Sequence, residues 1–242
     1  MKFTKLCLLL AVTLGLLASC RGTNEVVVVR PKNELFEDAY NNLERRRFAE
    51  AALLFLEIEN AYPASPYAPD ALIMAAYAQY RANDFAGTIM SIDKFMRFHP
   101  GHPDVPYVLY LRGMSFYRQV SDVRRDPGMS GLALQTFSQL IHRFPDSDYA
   151  ANAKNKVTIL KNYVAGKMMF SARRELRRHN FPAAITSLQY LITNLYETQM
   201  TPEALFRLTE AFTAIGLTEQ ADGYAEMLRL NFPDNEWTAR LR

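Results

Sequence analysis

The stretch FAEAALLFLEIENAYP, Phe48 to Pro63, is answered 37 residues later by FAGTIMSIDKFMRFHP, Phe85 to Pro100. In both, a small or slender residue stands three places after the phenylalanine (Ala51, Thr88) and a large apolar one seven places after it (Phe55, Ile92). A second large residue follows at ten (Ile58, Phe95) and proline at fifteen. Offsets of three, seven and ten lie on one face of an α-helix, and proline cannot continue that helix. The same frame set on Ser130, Phe181 and Thr218 yields Ala133, Phe137, Leu140 and Pro145, then Ala184, Leu188, Leu191 and Tyr196, then Ala221, Ala225, Leu228 and Pro233. The chain therefore carries five copies of one unit.

Nine residues before the anchors stand Ala39, Ala76, Ala172 and Thr209. Gly113 takes that place in the third unit if eight residues are inserted after it. Small residues let two helices of a hairpin approach closely, while the large ones fill the space beyond. This is a tetratricopeptide-type pattern, and such hairpins stack with a concave inner face. The expected fold is all-α, a right-handed superhelix of five helical hairpins. Anchor spacings of 37, 45, 51 and 37 residues place eight extra residues near Ser121 to Gly128, read as a surface loop, and fourteen in the fourth unit. Fourteen residues are about four helical turns, so Asp148 to His179 is expected as one long helix with Ser147 or Asp148 as its N-cap.

Lys2 and Lys5 precede an apolar run, Leu6 to Leu17, that ends in small residues and is too short to span a bilayer. Leu17-Ala18-Ser19-Cys20 resembles the bacterial lipobox, which implies cleavage before Cys20 and diacylation of its thiol. The expected organisation is a signal at 1–19, a lipid-anchored tether at 20–32, N-terminal repeats one to three at 33–145, and C-terminal repeats four and five at 146–242. Arg21, where an aspartate would favour inner-membrane retention, points to the periplasmic face of the outer membrane. Cys7 lies in the signal, so the mature chain has no cysteine pair and must hold by packing. Without Lys2 and Lys5 the 28 basic side chains fall to 26 against 25 acidic ones, a balance that makes no demand for nucleic acid.

No phosphate loop, nucleophile elbow, zinc motif or cysteine cluster stands in the mature chain, so neither an enzyme nor a cofactor is expected. His99 and His102 flank Pro100-Gly101 without a third partner nearby in sequence, and no metal is assigned to them. In the repeat frame the first helix of each hairpin turns its second, fifth, ninth and twelfth positions inward. These are Asn33, Phe36, Tyr40 and Leu43, then Asp70, Ile73, Tyr77 and Tyr80, then Tyr107, Tyr110, Met114 and Tyr117. Seven aromatics in twelve positions far exceed the 12% of the whole chain, so an aromatic groove for an extended or helical peptide is expected. The alternative is that these rings only fill a tightly wound superhelix. Arg173, Arg174, Arg177 and Arg178 end the long helix, where they complement its dipole or meet an acidic surface on a partner.

The segments PKNELF at 31–36, DKFMRFHPGHP at 93–103, YVLYLRG at 107–113, and Arg125-Asp126-Pro127 leading to FPDSDY at 144–149 keep their order around five repeats. In this they resemble the BamD family of outer-membrane assembly lipoproteins, from which the chain departs in a shorter insert before Arg125. The resemblance implies a scaffold whose C-terminal repeats hold the periplasmic POTRA domain of BamA nearest the barrel, with Arg173, Arg174, Arg177 and Arg178 facing it. It also implies N-terminal repeats that meet unfolded outer-membrane β-barrel proteins in the aromatic groove, and contacts with other Bam lipoproteins. The alternatives are a repeat lipoprotein serving peptidoglycan synthesis or pilus assembly, and a murein-active enzyme, for which Asp70 is the lone inward acid among the twelve positions.

Overall fold

A computed structural model describes residues 30–120 and 127–241. Among them run ten α-helices: α1 (Lys32–Glu44), α2 (Phe48–Ala61), α3 (Ala68–Arg81), α4 (Phe85–Phe98), α5 (Val105–Arg118), α6 (Pro127–Arg143), α7 (Asp148–Arg177), α8 (Phe181–Asn194), α9 (Thr201–Ala214) and α10 (Thr218–Asn231). A 3-10 turn at Thr238–Arg240 follows. The signal, Cys20, most of the tether and residues 121–126 of the insert lie outside the described residues.

Each helix packs against its neighbours in the chain, and first helices of successive units also touch, α3 with α5 and α5 with α7. The molecule is the all-α, right-handed superhelix of five helical hairpins. The repeat frame explains its packing. Ala51, Thr88, Ala133, Ala184 and Ala221 are buried, as are Phe55, Ile92, Phe137, Leu188 and Ala225, and Ile58, Phe95, Leu140, Leu191 and Leu228. Gly113 shows why the small position matters, because a Cβ built on it would lie 2.4 Å from the buried ring of Phe137.

The hairpin turns share a second device. Arg46, Asn83, His179 and Gly216, each two residues before a second helix, take φ of 57°, 63°, 58° and 81°. The next amide in each case (Arg47, Asp84, Asn180, Leu217) donates to a carbonyl five residues back (Asn42, Gln79, Glu175, Phe212) at 2.8–3.0 Å. This left-handed closure satisfies carbonyls that the ending helix leaves free. It also stops α7 at Arg177, short of the expected His179, whose positive φ leaves the helix. Ser147 is the N-cap, its hydroxyl accepting from the Tyr149 amide. Of the insert expected as a loop, Pro127 and Gly128 already belong to α6. Proline suits a first helical position because its missing N–H would have no partner there.

Among the described residues, three apolar cores run along the stack. Unit one closes on α3, units two and three close with the start of α7, and α8 to α10 close on its end. The extension of α7 thus spans two cores, giving Ala150, Ala153 and Leu160 to one and Ala165, Met169 and Ala172 to the next.

A candidate partner-binding face

Phe36 and Tyr40 sit one helical turn apart on α1, their ring centroids 6.3 Å apart, and both meet the buried Phe55 edge-on. Tyr67, from the turn before α3, adds a third ring 6.1 Å from Phe36. These rings, with Lys32, Asn33 and Asp70, line a cavity of about 410 Å³. Lys32 Nζ stands 4.5 Å over the Tyr67 ring.

The tyrosines of α3 and α5 form the next group. Tyr107 and Tyr110 both meet Tyr149 of α7, at 5.4 and 5.7 Å, and Tyr110 also meets the buried Phe137 at 6.1 Å. Tyr80 packs on Phe85, the Tyr77 hydroxyl accepts from the Arg81 guanidinium, and Lys156 lies 5.1 Å over the Tyr117 ring. Tyr77, Tyr80, Tyr107, Tyr110, Met114 and Tyr117 all pack against one core while keeping part of their surface. Tyr40 is 47% exposed, whereas Ile73, at 7%, is the one of the twelve positions that is buried. Burial raises the pKa of Tyr107, and Tyr77, Tyr149, Tyr80 and Asp104 close by raise it further. Burial likewise raises that of Tyr110, with Tyr80 adding to it. Both phenols therefore stay protonated and able to donate. Tyr67 and Tyr149 fall outside the twelve positions read from the sequence. Tyr149 is found only by counting forward from the Ser147 cap instead of back from Phe181.

The same offsets in the last two units give Gly166, Met169, Arg173 and Leu176, then Glu203, Phe206, Glu210 and Thr213. Here charge replaces aromatic rings. Arg173 donates through Nε to Glu203 Oε1 at 2.8 Å and through Nη2 to Oε2, and the Glu203 side chain is 5% exposed. Glu203 holds the Arg173 pKa above its ordinary value. Arg207 donates to Glu210 at 2.7 Å, lies 3.5 Å from Glu203, and stacks 5.2 Å from the Trp237 ring centroid. Arg174 pairs with Glu175 at 3.1 Å, and Arg174 and Asn180 hold that carboxyl below the usual range. Of the four arginines read from the sequence, the structure thus gives two to carboxylates of the same chain. Arg177 and Arg178 are exposed and make no ion pair among the described residues. Arg173, Leu176, Arg177, His179, Phe181 and Arg207 line most of a cleft of about 510 Å³.

Both histidines meet the Phe95 ring, His99 at 5.6 Å and His102 at 5.3 Å, and His102 also gathers with Asp70 and Asp104, one ligand atom of each lying within 4.8 Å of the others. His102 Nδ1 already accepts from the Asp104 amide at 3.2 Å. Both carboxylates are exposed at helix starts, whose positive ends stabilise them. No helix among the described residues is long and apolar enough to cross a membrane.

Five stacked hairpins define a tetratricopeptide-type scaffold. The chain belongs to the YfiO family of outer membrane lipoproteins, which matches residues 29–227. It is 34% identical over 208 residues to the outer membrane protein assembly factor BamD of Caulobacter vibrioides, covering 86% of this chain and 68% of the relative. To the protein of that name from Rickettsia prowazekii it is 30% identical over 240 residues, 98% and 95% of the two chains. To that from Neisseria meningitidis serogroup A it is 30% identical over 243 residues, 93% and 91%. The family is one of assembly factors and not of enzymes. Among solved structures, the TPR domain of P58(IPK) is similar at a TM-score of 0.47 and 13% identity, covering 86% of this chain and 53% of that one. The MamA protein is similar at 0.42 and 12%, covering 82% and 90%.

Proposed function

We propose that this protein is the scaffold subunit of the β-barrel assembly machine, held by acyl chains on Cys20 at the periplasmic face of the outer membrane. Its C-terminal repeats hold the POTRA domain of BamA nearest the barrel, and its N-terminal repeats receive unfolded outer-membrane proteins. Other Bam lipoproteins dock on the same stack. Membership of an outer membrane lipoprotein family whose relatives are named assembly factors supports the setting.

The observation that carries the client-binding part is two groups of rings that pack on the cores yet keep exposed surface, Phe36 and Tyr40 in one and Tyr77, Tyr80, Tyr107, Tyr110 and Tyr117, with Met114, in the other. Rings anchored in a core lose little freedom on binding, and tyrosine offers apolar area with a polar tip. For the BamA-facing end, Arg177 and Arg178 are the guanidinia left for a partner, while Arg173 and Arg174 position the surface they stand on.

Photo-crosslinking in living cells tests both halves. A crosslinker at Tyr77 should trap nascent barrel proteins and one at Arg177 should trap BamA; swapped or absent products would refute the assignment. Mass spectrometry of the purified protein should find diacylated Cys20 as its first residue, and an unmodified thiol would remove the anchor.

A further inference from the structure

The hairpin turns of the first three units carry a charge pattern that the aromatic groove does not use. Arg45, Arg46 and Arg47 fill the turn between α1 and α2, Arg81 ends α3, Arg118 ends α5, and all five are exposed. Contacts join them into one ridge. The Arg81 guanidinium lies 4.5 Å over the ring of Phe48, the residue after Arg47. That of Arg118 lies 5.8 Å from the ring of Phe85 and donates to Asn83 Oδ1 at 3.1 Å. Each turn is thus tied to the next by an arginine resting on the first phenylalanine of a neighbouring second helix. None of the five makes an ion pair among the described residues. The acids in these turns are Glu44, Glu50 and Asp84, and the Asp84 carboxylate is engaged by the Gly87 amide at 2.9 Å. Dipole complementation accounts for Arg81 and Arg118 in the last turns of their helices. It does not account for Arg47, the N-cap of α2, where the positive helix end disfavours a cation. The opposite edge, where units join, mixes Asp70, Asp104, Asp146 and Asp148 with Arg97 and Arg143.

We infer that this ridge rests on the headgroup phosphates of anionic lipid in the membrane that holds the protein, so that units one to three stand turn-first on the bilayer. The inference rests on the anchored reading above and adds to it the edge that meets the lipid. Membership of an outer membrane lipoprotein family puts a bilayer within reach. Guanidinium forks match phosphate oxygens in shape and charge. A bilayer offers phosphates at no fixed spacing, which suits cations set on separate turns, and arginines close to such a surface are drawn to it within about a Debye length. Arg81 and Arg118 are already held on rings, so they lose little freedom on docking. A bound peptide would call for a concavity, whereas these cations stand on the outer edge of three turns.

The test reads which edge lies against the lipid. In the anchored reading Cys20 is acylated and Cys7 is removed with the signal, so an introduced cysteine is the one free thiol for a fluorophore. Ala49→Cys places it on the ridge and Gly101→Cys on the opposite edge, both at exposed positions. The acylated mature protein is reconstituted on vesicles of phosphatidylethanolamine and phosphatidylglycerol that carry a nitroxide on the headgroup of a trace lipid. Quenching at Ala49→Cys should exceed that at Gly101→Cys about fivefold. The excess should vanish in molar salt, on replacing phosphatidylglycerol by phosphatidylcholine, and in the triple variant Arg45→Gln, Arg46→Gln, Arg47→Gln, whose fold is checked by circular dichroism. Equal quenching at the two sites, or more at Gly101→Cys, would overturn the inference and leave the anchor intact. An excess that survives the triple variant or the loss of phosphatidylglycerol would overturn the arginines as its cause. A shift of the Ala49→Cys emission by poly-glutamate but not by vesicles would give the ridge to an acidic protein and overturn the lipid contact. Protein that stays off every vesicle would overturn the anchored reading, and this contact with it.

Discussion

Two glycines in helix interiors should respond to the same substitution with opposite sign. Replacing glycine by alanine in a helix gains roughly 0.5–1 kcal/mol from lost backbone freedom in the unfolded chain. At Gly166 in α7 a new Cβ meets nothing within 4 Å, so the gain should appear in full. At Gly113 in α5 the new Cβ would lie 2.4 Å from Cε1 and 2.6 Å from Cδ1 of Phe137, a side chain with 0% exposure. A buried ring cannot swing into solvent, so α5 and α6 must part, at a typical overpacking cost of about 1–3 kcal/mol. Set against the helix gain, Gly113→Ala should destabilise by roughly 0.5–2 kcal/mol. Urea unfolding followed by circular dichroism resolves differences of this size. In the Phe137→Leu background the penalty should shrink, because a smaller side chain vacates the contested space. A stabilised Gly113→Ala, or a penalty unchanged by Phe137→Leu, would refute the close α5–α6 approach and with it the register of the third repeat.

Gly216 has φ of 81°, so Gly216→Ala should cost about 1 kcal/mol although its Cβ would meet open space; an unchanged urea midpoint would contradict the left-handed closure of that hairpin. Glu203→Gln should lose roughly 1–3 kcal/mol in the same assay, less than for a fully buried pair because the Arg173 side chain is 43% exposed and stays hydrated; wild-type stability would mean that Glu203 is not the clamp described. The raised pKa of Tyr107 means that the fold disfavours its phenolate. Its contribution to stability is therefore fully present below the unfolded value of about 10 and is lost as pH rises beyond that. Absorbance titration at tyrosinate wavelengths should show a late phase to which Tyr107 and Tyr110 contribute, and Tyr107→Phe should reduce it; no change in the late phase would count against burial of that phenol.

The repeat frame was legible in the sequence because each of its signals is local. Ala51 and Phe55 share a helix face by spacing alone, and Pro63 ends that helix by the chemistry of its own ring. The twelve first-helix positions share a helix face for the same reason, and all but Ile73 keep exposed surface. Legibility failed where contacts join units. Tyr149 lies 42 residues from Tyr107, in a stretch whose length could be read but whose facing could not. Arg173 reads as a free cation until Glu203, thirty residues on, is brought beneath it.

By itself, then, the sequence determined that five hairpins form, where each turns, and through the four segments shared with the BamD family, to which lineage the scaffold belongs. Tertiary structure alone decided which rings meet, which arginines are spoken for, and where a cleft remains. The physical reason is that a helix face is set by 3.6-residue periodicity within one segment. The rotation of one hairpin on the next is set by side chains from both, and in this chain by an α7 long enough to enter two cores. No spacing along the chain encodes that angle.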